Sequence, residues 1–236
     1  MVPAALLLDL DDTILDDSTA VERCWREACH AHIAECPDID PDDLYQAIRT
    51  QGQRYWNDAE RHRRGRLALD VARAEVANLA LRQMGIVKEG LAGKIAGAYA
   101  RGRDAAMEPL PDAIDTVRWF RERGSKMALL TNGAGAAQRR KIERFNLGGL
   151  FDCILVEGEL GVGKPDERIY RRALAELAVD PRNAWMAGDH LEFDVAAPQQ
   201  LGLYAIWIDG HGAGLPPGHT VRPDRIIRRL SELRDA

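Results

Sequence analysis

From residue 6 to residue 10 a short apolar run leads into a group of acids, which predicts a strand buried on both faces of a parallel sheet. Strand signals then vanish between Ser18 and Met107, where apolar positions recur at helical spacing. Val21, Trp25, Ala28 and His32 line one face of a first helix. Asp40-Pro41-Asp42-Asp43 supplies an N-cap, a first-turn proline and acids at the positive end of a second. A third runs through Val76, Leu79 and Ala80 to Met84 and is closed by Gly85, while Leu91, Ile95, Ala98 and Tyr99 mark a fourth. After Pro109 the rhythm alternates. Helices are predicted over 111–123, 136–145 and 165–177, the last with Ile169, Tyr170, Ala173 and Leu174 inward. Strands are predicted over 126–130, 153–157, 184–187 and 203–208, with a helix joining the last two, and a Gly/Pro-rich loop over 210–219 leads to a final helix near 223–233. Such alternation implies βαβ units. The expected fold is therefore α/β: a doubly wound, Rossmann-like parallel sheet core made of residues 1–17 and 108–236, with an all-helical domain, residues 18–107, inserted into it.

Composition narrows the class. With 46% hydrophobic and 29% charged residues, the chain has the balance of a soluble globular protein that buries a sizeable core. A net charge of −5 argues against a dedicated nucleic-acid or anionic-membrane binder. The apolar start lacks a basic lead-in and is interrupted by Asp9, so it does not read as a signal peptide. No apolar run approaches the roughly 20 residues that a membrane span requires. Cys24, Cys29, Cys36 and Cys153 form no CxxC pair and no zinc-type spacing, which favours buried free thiols over a metal site. A cytoplasmic protein, monomer or homodimer, is expected.

The chemistry gathers where strands end, and in a parallel α/β sheet ligands collect beyond the carboxyl ends of the strands. The first strand runs into Asp9-Leu10-Asp11-Asp12-Thr13, another into Thr131-Asn132-Gly133, and a later one into Gly188-Asp189, with Asp194 beyond it. A loop presents Gly163-Lys164-Pro165-Asp166 at a helix start. Period-2 geometry places Asp9 and Asp11 on one side of the strand exit. Carboxylates that close repel, and need a cation or a shared proton. Hard oxygen ligands favour magnesium, and Asp189 can approach from its own strand. The Thr131 hydroxyl, Asn132 and nearby backbone N–H groups suit phosphate oxygens, and Lys164 adds a point charge. Taken singly, each of these is commonly a cap or a turn. Together, at the exits of one sheet, they point to a site.

The set, in this order, resembles the haloacid dehalogenase (HAD) superfamily, through Leu7-Leu8-Asp9-Leu10-Asp11-Asp12-Thr13, Leu129-Leu130-Thr131-Asn132-Gly133, Gly163-Lys164-Pro165-Asp166 and Ala187-Gly188-Asp189-His190-Leu191-Glu192-Phe193-Asp194. The resemblance spans nearly the whole chain and is to subfamily I, whose helical cap lies between the first and second motifs. It implies a magnesium-dependent phosphatase acting on small-molecule phosphate monoesters such as a sugar phosphate or nucleotide. By that resemblance Asp9 attacks phosphorus to form an aspartyl-phosphate, and Asp11 protonates the leaving oxygen and later deprotonates water. Magnesium would be held by Asp9, the Asp11 carbonyl and Asp189. Thr131, Asn132 and Lys164 would hold the phosphoryl oxygens, and Asp194 would position Lys164 or a metal-bound water. Two departures stand out: His190 replaces a common Ser or Thr, and Ala196-Ala197-Pro198 replaces a glycine-containing turn. For His190, a supporting hydrogen bond is the simpler role than a substrate contact.

The insertion, as a cap closing over the site, is expected to set specificity. Its basic run Arg61-His62-Arg63-Arg64-Gly65-Arg66 reads as a solvated face or as a reach toward a substrate's distal anion, and Trp25, Tyr55 and Trp56 read as core or as a stacking platform. Three rivals are kept in view. A haloacid dehalogenase usually lacks the second acid, here Asp11. A phosphomutase needs a cap that holds a bisphosphate. A non-enzymatic phospho-accepting receiver has its acceptor on a separate strand and lacks a long helical insertion.

Overall fold

The first apolar run becomes strand β1 (Ala5–Leu8), with all four side chains fully buried, in the computed structural model of the chain, which describes residues 2–32 and 39–235. Five more strands join it: β2 (Lys126–Thr131), β3 (Cys153–Val156), β4 (Ala184–Gly188), β5 (Tyr204–Ile208) and β6 (Arg225–Ile227). Their order in the sheet is β3-β2-β1-β4-β5-β6, and every pairing is parallel. The chain thus builds outward from β1 to one edge, then returns to the other side of β1 and builds to the opposite edge. That reversal opens a crevice at the carboxyl end of the central strand. Leu8 pairs in register with Leu129 of β2 and Ala187 of β4, so the residues that follow these three strands emerge side by side.

The chain divides into two compact units, Met1–Asp16 with Glu108–Ala236, and Asp17–Met107. The second is helical: α1 (Val21–His32), α2 (Pro41–Asn57), α3 (Ala59–Leu67), α4 (Leu69–Gln83) and α5 (Leu91–Ala106). Asp40 caps α2 as expected, its carboxylate accepting the Asp42 N–H at 2.8 Å. Gly85 follows α4 in the left-handed region that a glycine adopts without penalty. Helix α3 carries no apolar stripe, so periodicity gave no sign of it. Its local signal is Asp58, whose side chain accepts the Arg61 N–H at 2.8 Å. Gly65 admits the close approach of α2, since a Cβ there would lie 3.0 Å from both Tyr55 and Trp56. Trp25 stacks on Tyr99 at 3.8 Å, Tyr55 is buried, and Trp56 packs against this same core. These aromatic residues are core, and Arg61, Arg63 and Arg64 are exposed, as a solvated face requires.

In the sheet unit the helices are α6 (Ala113–Glu122), α7 (Gly135–Arg144), α8 (Glu157–Leu160), α9 (Glu167–Leu177) and α10 (Ala197–Gln200). The expected inward face of α9 is observed: Ile169, Tyr170, Ala173 and Leu174 pack with Ala5 and Leu7 of β1 and Ala128 and Leu130 of β2. Alternation sends Leu6 and Leu8 to the other side of the sheet. Cys24, Cys29 and Cys153 are buried free thiols, and Cys36 lies outside the described residues. Among the described residues, no helix is long and apolar enough to cross a membrane.

One expected element is corrected. The helix placed near 223–233 is strand β6 followed by a 3-10 turn, Leu230–Asp235. Ile226 and Ile227 are β-branched, and β5 offers an open edge where they pair. Burial alternates as in a strand, with Ile227 2% exposed and Ile226 47%. Ile227→Ala should therefore cost about 2–5 kcal/mol and Ile226→Ala less than about 1 kcal/mol, measured by denaturant unfolding. Equal losses at the two positions would contradict a strand.

Candidate active site

Asp9 follows the last paired residue of β1, and its N–H continues the ladder to the Ala187 carbonyl at 3.1 Å. Asp12 adopts a left-handed conformation (φ 56°), which aspartate tolerates, and its N–H donates to the Leu15 carbonyl at 2.7 Å. This tight loop holds Asp11 at the strand exit. Lys164 arrives from the loop before α9, across a cis Lys164–Pro165 peptide. It is 2% exposed, and its Nζ lies 2.6 Å from Asp9 Oδ1 and 2.6 Å from Asp194 Oδ1. Asn132, just beyond β2, fixes the lysine backbone from both sides: its Nδ2 donates to the Lys164 carbonyl at 2.7 Å, and its Oδ1 accepts the Lys164 N–H at 2.8 Å. Asp194 Oδ2 accepts the His190 N–H at 3.0 Å. Asp189 follows β4, and its carbonyl accepts the Trp207 indole N–H at 2.7 Å.

The electrostatics follow from burying one cation among several acids. Burial pushes the Asp9 carboxyl up to about 7, with Asp194 and Asp11 adding to the rise and Lys164 opposing it. Burial likewise raises Asp189 to about 8, helped by Asp9, Asp194 and Asp12. Burial alone would lower Lys164, but Asp194 and Asp9 more than offset it, so the ammonium is held above its ordinary value. Asp9, Asp189 and Asp194 each bring a carboxylate oxygen within 4.8 Å of the others. Three acids around one lysine leave an excess of negative charge, and hard oxygens so placed fit a divalent cation. Asp194 fits least, because Lys164 and the His190 N–H already occupy its two oxygens.

The expected site residues thus come together, with two adjustments. The Gly133 N–H, a natural donor for a phosphate oxygen, is taken by the buried Glu157 at 2.9 Å. Asn132 is likewise engaged in holding Lys164. Three neighbours escaped the sequence reading: Glu157, Gln138 and Lys141. Gln138 Nε2 donates to Thr131 Oγ1 at 2.5 Å and Asp11 Oδ2 at 3.0 Å, and Lys141 Nζ lies 2.7 Å from Asp11 Oδ1. The signal for the last two was their spacing, one helical turn apart on the helix that leaves the β2 exit.

His190 has a structural task. Its Nδ1 accepts the N–H groups of Glu192 and Phe193, both at 3.3 Å, capping a π-helical turn at Leu191–Ala196, and its ring stacks on Phe193 at 3.8 Å. That turn presents Asp194 to Lys164 and runs directly into α10, which begins at Ala197 with Pro198 in its first turn.

Acids, a threonine and a buried lysine thus converge at the switch point of a doubly wound parallel sheet, where α/β proteins of this class carry their sites. Residues 3–202 match the haloacid dehalogenase-like hydrolase family, and the chain belongs to it. The chain is 28% identical over 207 residues to a glyceraldehyde 3-phosphate phosphatase of Methanopyrus kandleri, covering 86% of this chain and 83% of that one. Among solved structures it resembles the magnesium-bound HAD-hydrolase YfnB of Bacillus subtilis (TM-score 0.76, 22% identity, 100% and 98% of the two chains). It also resembles a 2-haloacid dehalogenase of Pseudomonas syringae pv. Tomato (TM-score 0.63, 25% identity, 100% and 97%).

The cap assigned to His190 is testable. His190→Ala should destabilise the protein by about 0.5–2 kcal/mol, and His190→Ser, which restores an acceptor, should recover most of that in denaturant unfolding. No difference between the two variants would remove the capping role.

Proposed function

We propose that the protein is a magnesium-dependent phosphohydrolase acting on small-molecule phosphate monoesters, with Asp9 as the covalent nucleophile. The observation that carries this reading is the placement of Asp9 at the central strand exit, with one oxygen held by buried Lys164 and with Asp11 beside it. The phosphatase among its relatives supports the same substrate class. Asp9 attacks phosphorus, the bond to the leaving oxygen breaks, and Asp11 gives that oxygen its proton. Water then attacks phosphorus and yields a proton to Asp11 as the Asp9–phosphorus bond breaks, which restores both acids. Lys164 orients Asp9 and faces the transferring oxygens, Thr131 donates its hydroxyl to them, and Asp194 keeps Lys164 in place. Asn132 acts through the Lys164 backbone. Magnesium would be held by the carboxylates of Asp9 and Asp189 and the carbonyl of Asp11. When bound, it supplies positive charge that offsets the phosphoryl oxygens and favours ionised carboxylates. The insertion starts a few residues after the acid pair, which supports a part in substrate selection, and buried free cysteines suit a cytoplasmic location.

The dehalogenase alternative makes a different demand. Displacing halide requires no proton for the leaving group, so it has no use for an anchored second acid at Asp11. Asp9→Asn should abolish turnover of phosphate esters in a protein that still folds. Asp11→Asn should cut kcat/KM on alkyl phosphates by about 10²–10⁴ and on p-nitrophenyl phosphate far less, in a steady-state phosphate-release assay. Release of halide from 2-haloacids by a protein inert toward phosphate esters would reverse the assignment.

Metal binding has its own signature. Because Asp9 and Asp189 have folded pKa values raised to about 7 and about 8, the metal-free fold holds extra protons that favour it at acid pH. That contribution is complete below the ordinary carboxylate range and is lost as pH rises through those values. A cation needs the ionised forms, so saturating magnesium should raise the melting temperature more at about pH 8.5 than at about pH 6. Asp189→Ala should abolish the shift. An equal shift at both pH values would count against these carboxylates as ligands.

A further inference from the structure

Two side chains of α7 converge on Asp11, and neither has a part in the chemistry above. Gln138 and Lys141 share one face of the helix that begins directly beyond the β2 exit. Lys141 reaches Asp11 Oδ1 at 2.7 Å with its side chain only 16% exposed, and the buried Gln138 reaches Oδ2 at 3.0 Å. Each oxygen of Asp11 therefore has its own donor, and the two donors come from a single rigid element. An aspartate at a strand exit rotates freely about its side-chain bonds, whereas donors on both oxygens fix the carboxyl plane. Each oxygen keeps a second lone-pair position, so a site for the transferred proton remains. Gln138 also donates to Thr131 Oγ1 at 2.5 Å, which ties the orientation of Asp11 to that of the threonine hydroxyl.

Resting on the phosphohydrolase reading, we propose that Lys141 is a positioning residue for the proton transfers of Asp11. With Gln138 it holds the carboxyl so that one edge faces the leaving oxygen. It also favours the donation itself. As the proton passes to the leaving oxygen and the phosphorus–oxygen bond breaks, Asp11 becomes a carboxylate, and its bond to the Lys141 ammonium becomes charge-assisted on both sides. That gain exists only as the proton leaves, so it lowers the barrier rather than tightening ground-state binding.

The leaving group separates this role from a merely structural one. An alkyl phosphate such as glycerol 3-phosphate needs acid assistance, and p-nitrophenyl phosphate does not. Since kcat/KM reports the steps up to loss of the leaving group, Lys141→Met should lower it about tenfold or more on the alkyl ester and less than about threefold on the aryl ester. Lys141→Arg should recover most of the loss. Lys141→Gln, which keeps a donor without the charge, should fall between, and it carries the test if the Met variant does not fold. Equal losses in kcat/KM on the two esters, or no loss on either, would each overturn the proposal. Failure of the wild-type protein to hydrolyse either ester in magnesium would instead bring down the phosphohydrolase reading, and this inference with it.

Discussion

A lysine ammonium buried between two carboxylates is the constraint on which the rest of the site depends. Removing Lys164 from water is costly unless partners meet it, and they come from the exits of β1 and from the turn beyond β4. Its backbone is fixed in turn by Asn132, at the exit of β2. One residue, through its side chain and its backbone, thus ties together the segments following three parallel strands. The packing records the same demand: a Cβ at Gly188 would fall 2.4 Å from the Asp194 carboxyl, so that carboxyl reaches Lys164 only because position 188 has no side chain. Gly163 is under similar pressure, with Asn132 and Glu157 both within 2.7 Å of where its Cβ would stand.

The sheet unit also closes its own backbone where the insertion departs. Leu15 bridges to Pro109, and the Asp16 N–H donates to the Glu108 carbonyl at 2.9 Å. The two ends of the insertion therefore leave from paired backbone. A helical unit with its own core of Cys29, Ile48, Ala77, Ile95 and neighbours can thus sit within one chain without breaking the sheet unit.

Much of this was legible in the sequence because the informative groups lie in strands and at strand exits. Short apolar runs located β1 through β5, Asp9, Thr131 and Asp189 each follow or end a recognisable strand, and Lys164 stands just before a recognisable helix. What escaped was long-range and polar. Nothing local marks Glu157 as the acceptor for the Gly133 N–H, and the one-turn spacing of Gln138 and Lys141 places them on one face of α7 without naming Asp11 as their partner, because helix-surface glutamine and lysine usually face solvent. The segment near 223–233 misled for another reason. Its spaced apolar residues fit a helix, and only the open edge of β5 decides that Ile226 and Ile227 pair as a strand. His190 was read as a supporting residue, but its cap could be seen only once the N–H groups of Glu192 and Phe193 were in place.

The distance along the chain between Asp9 and Lys164 has a consequence for biosynthesis. The two residues are 155 positions apart, and Asp194 follows Lys164 by another 30. Since a ribosome adds about 5–20 residues each second, the strand that bears Asp9 emerges many seconds before its cation is made. During that interval Asp9 remains hydrated and without its cation, and the adjoining strand still lacks β4, one of its two final neighbours. The cluster around Lys164 is therefore among the last features of the molecule to form, and a nascent chain stalled before residue 194 would carry Asp9 without the full set of partners that hold it.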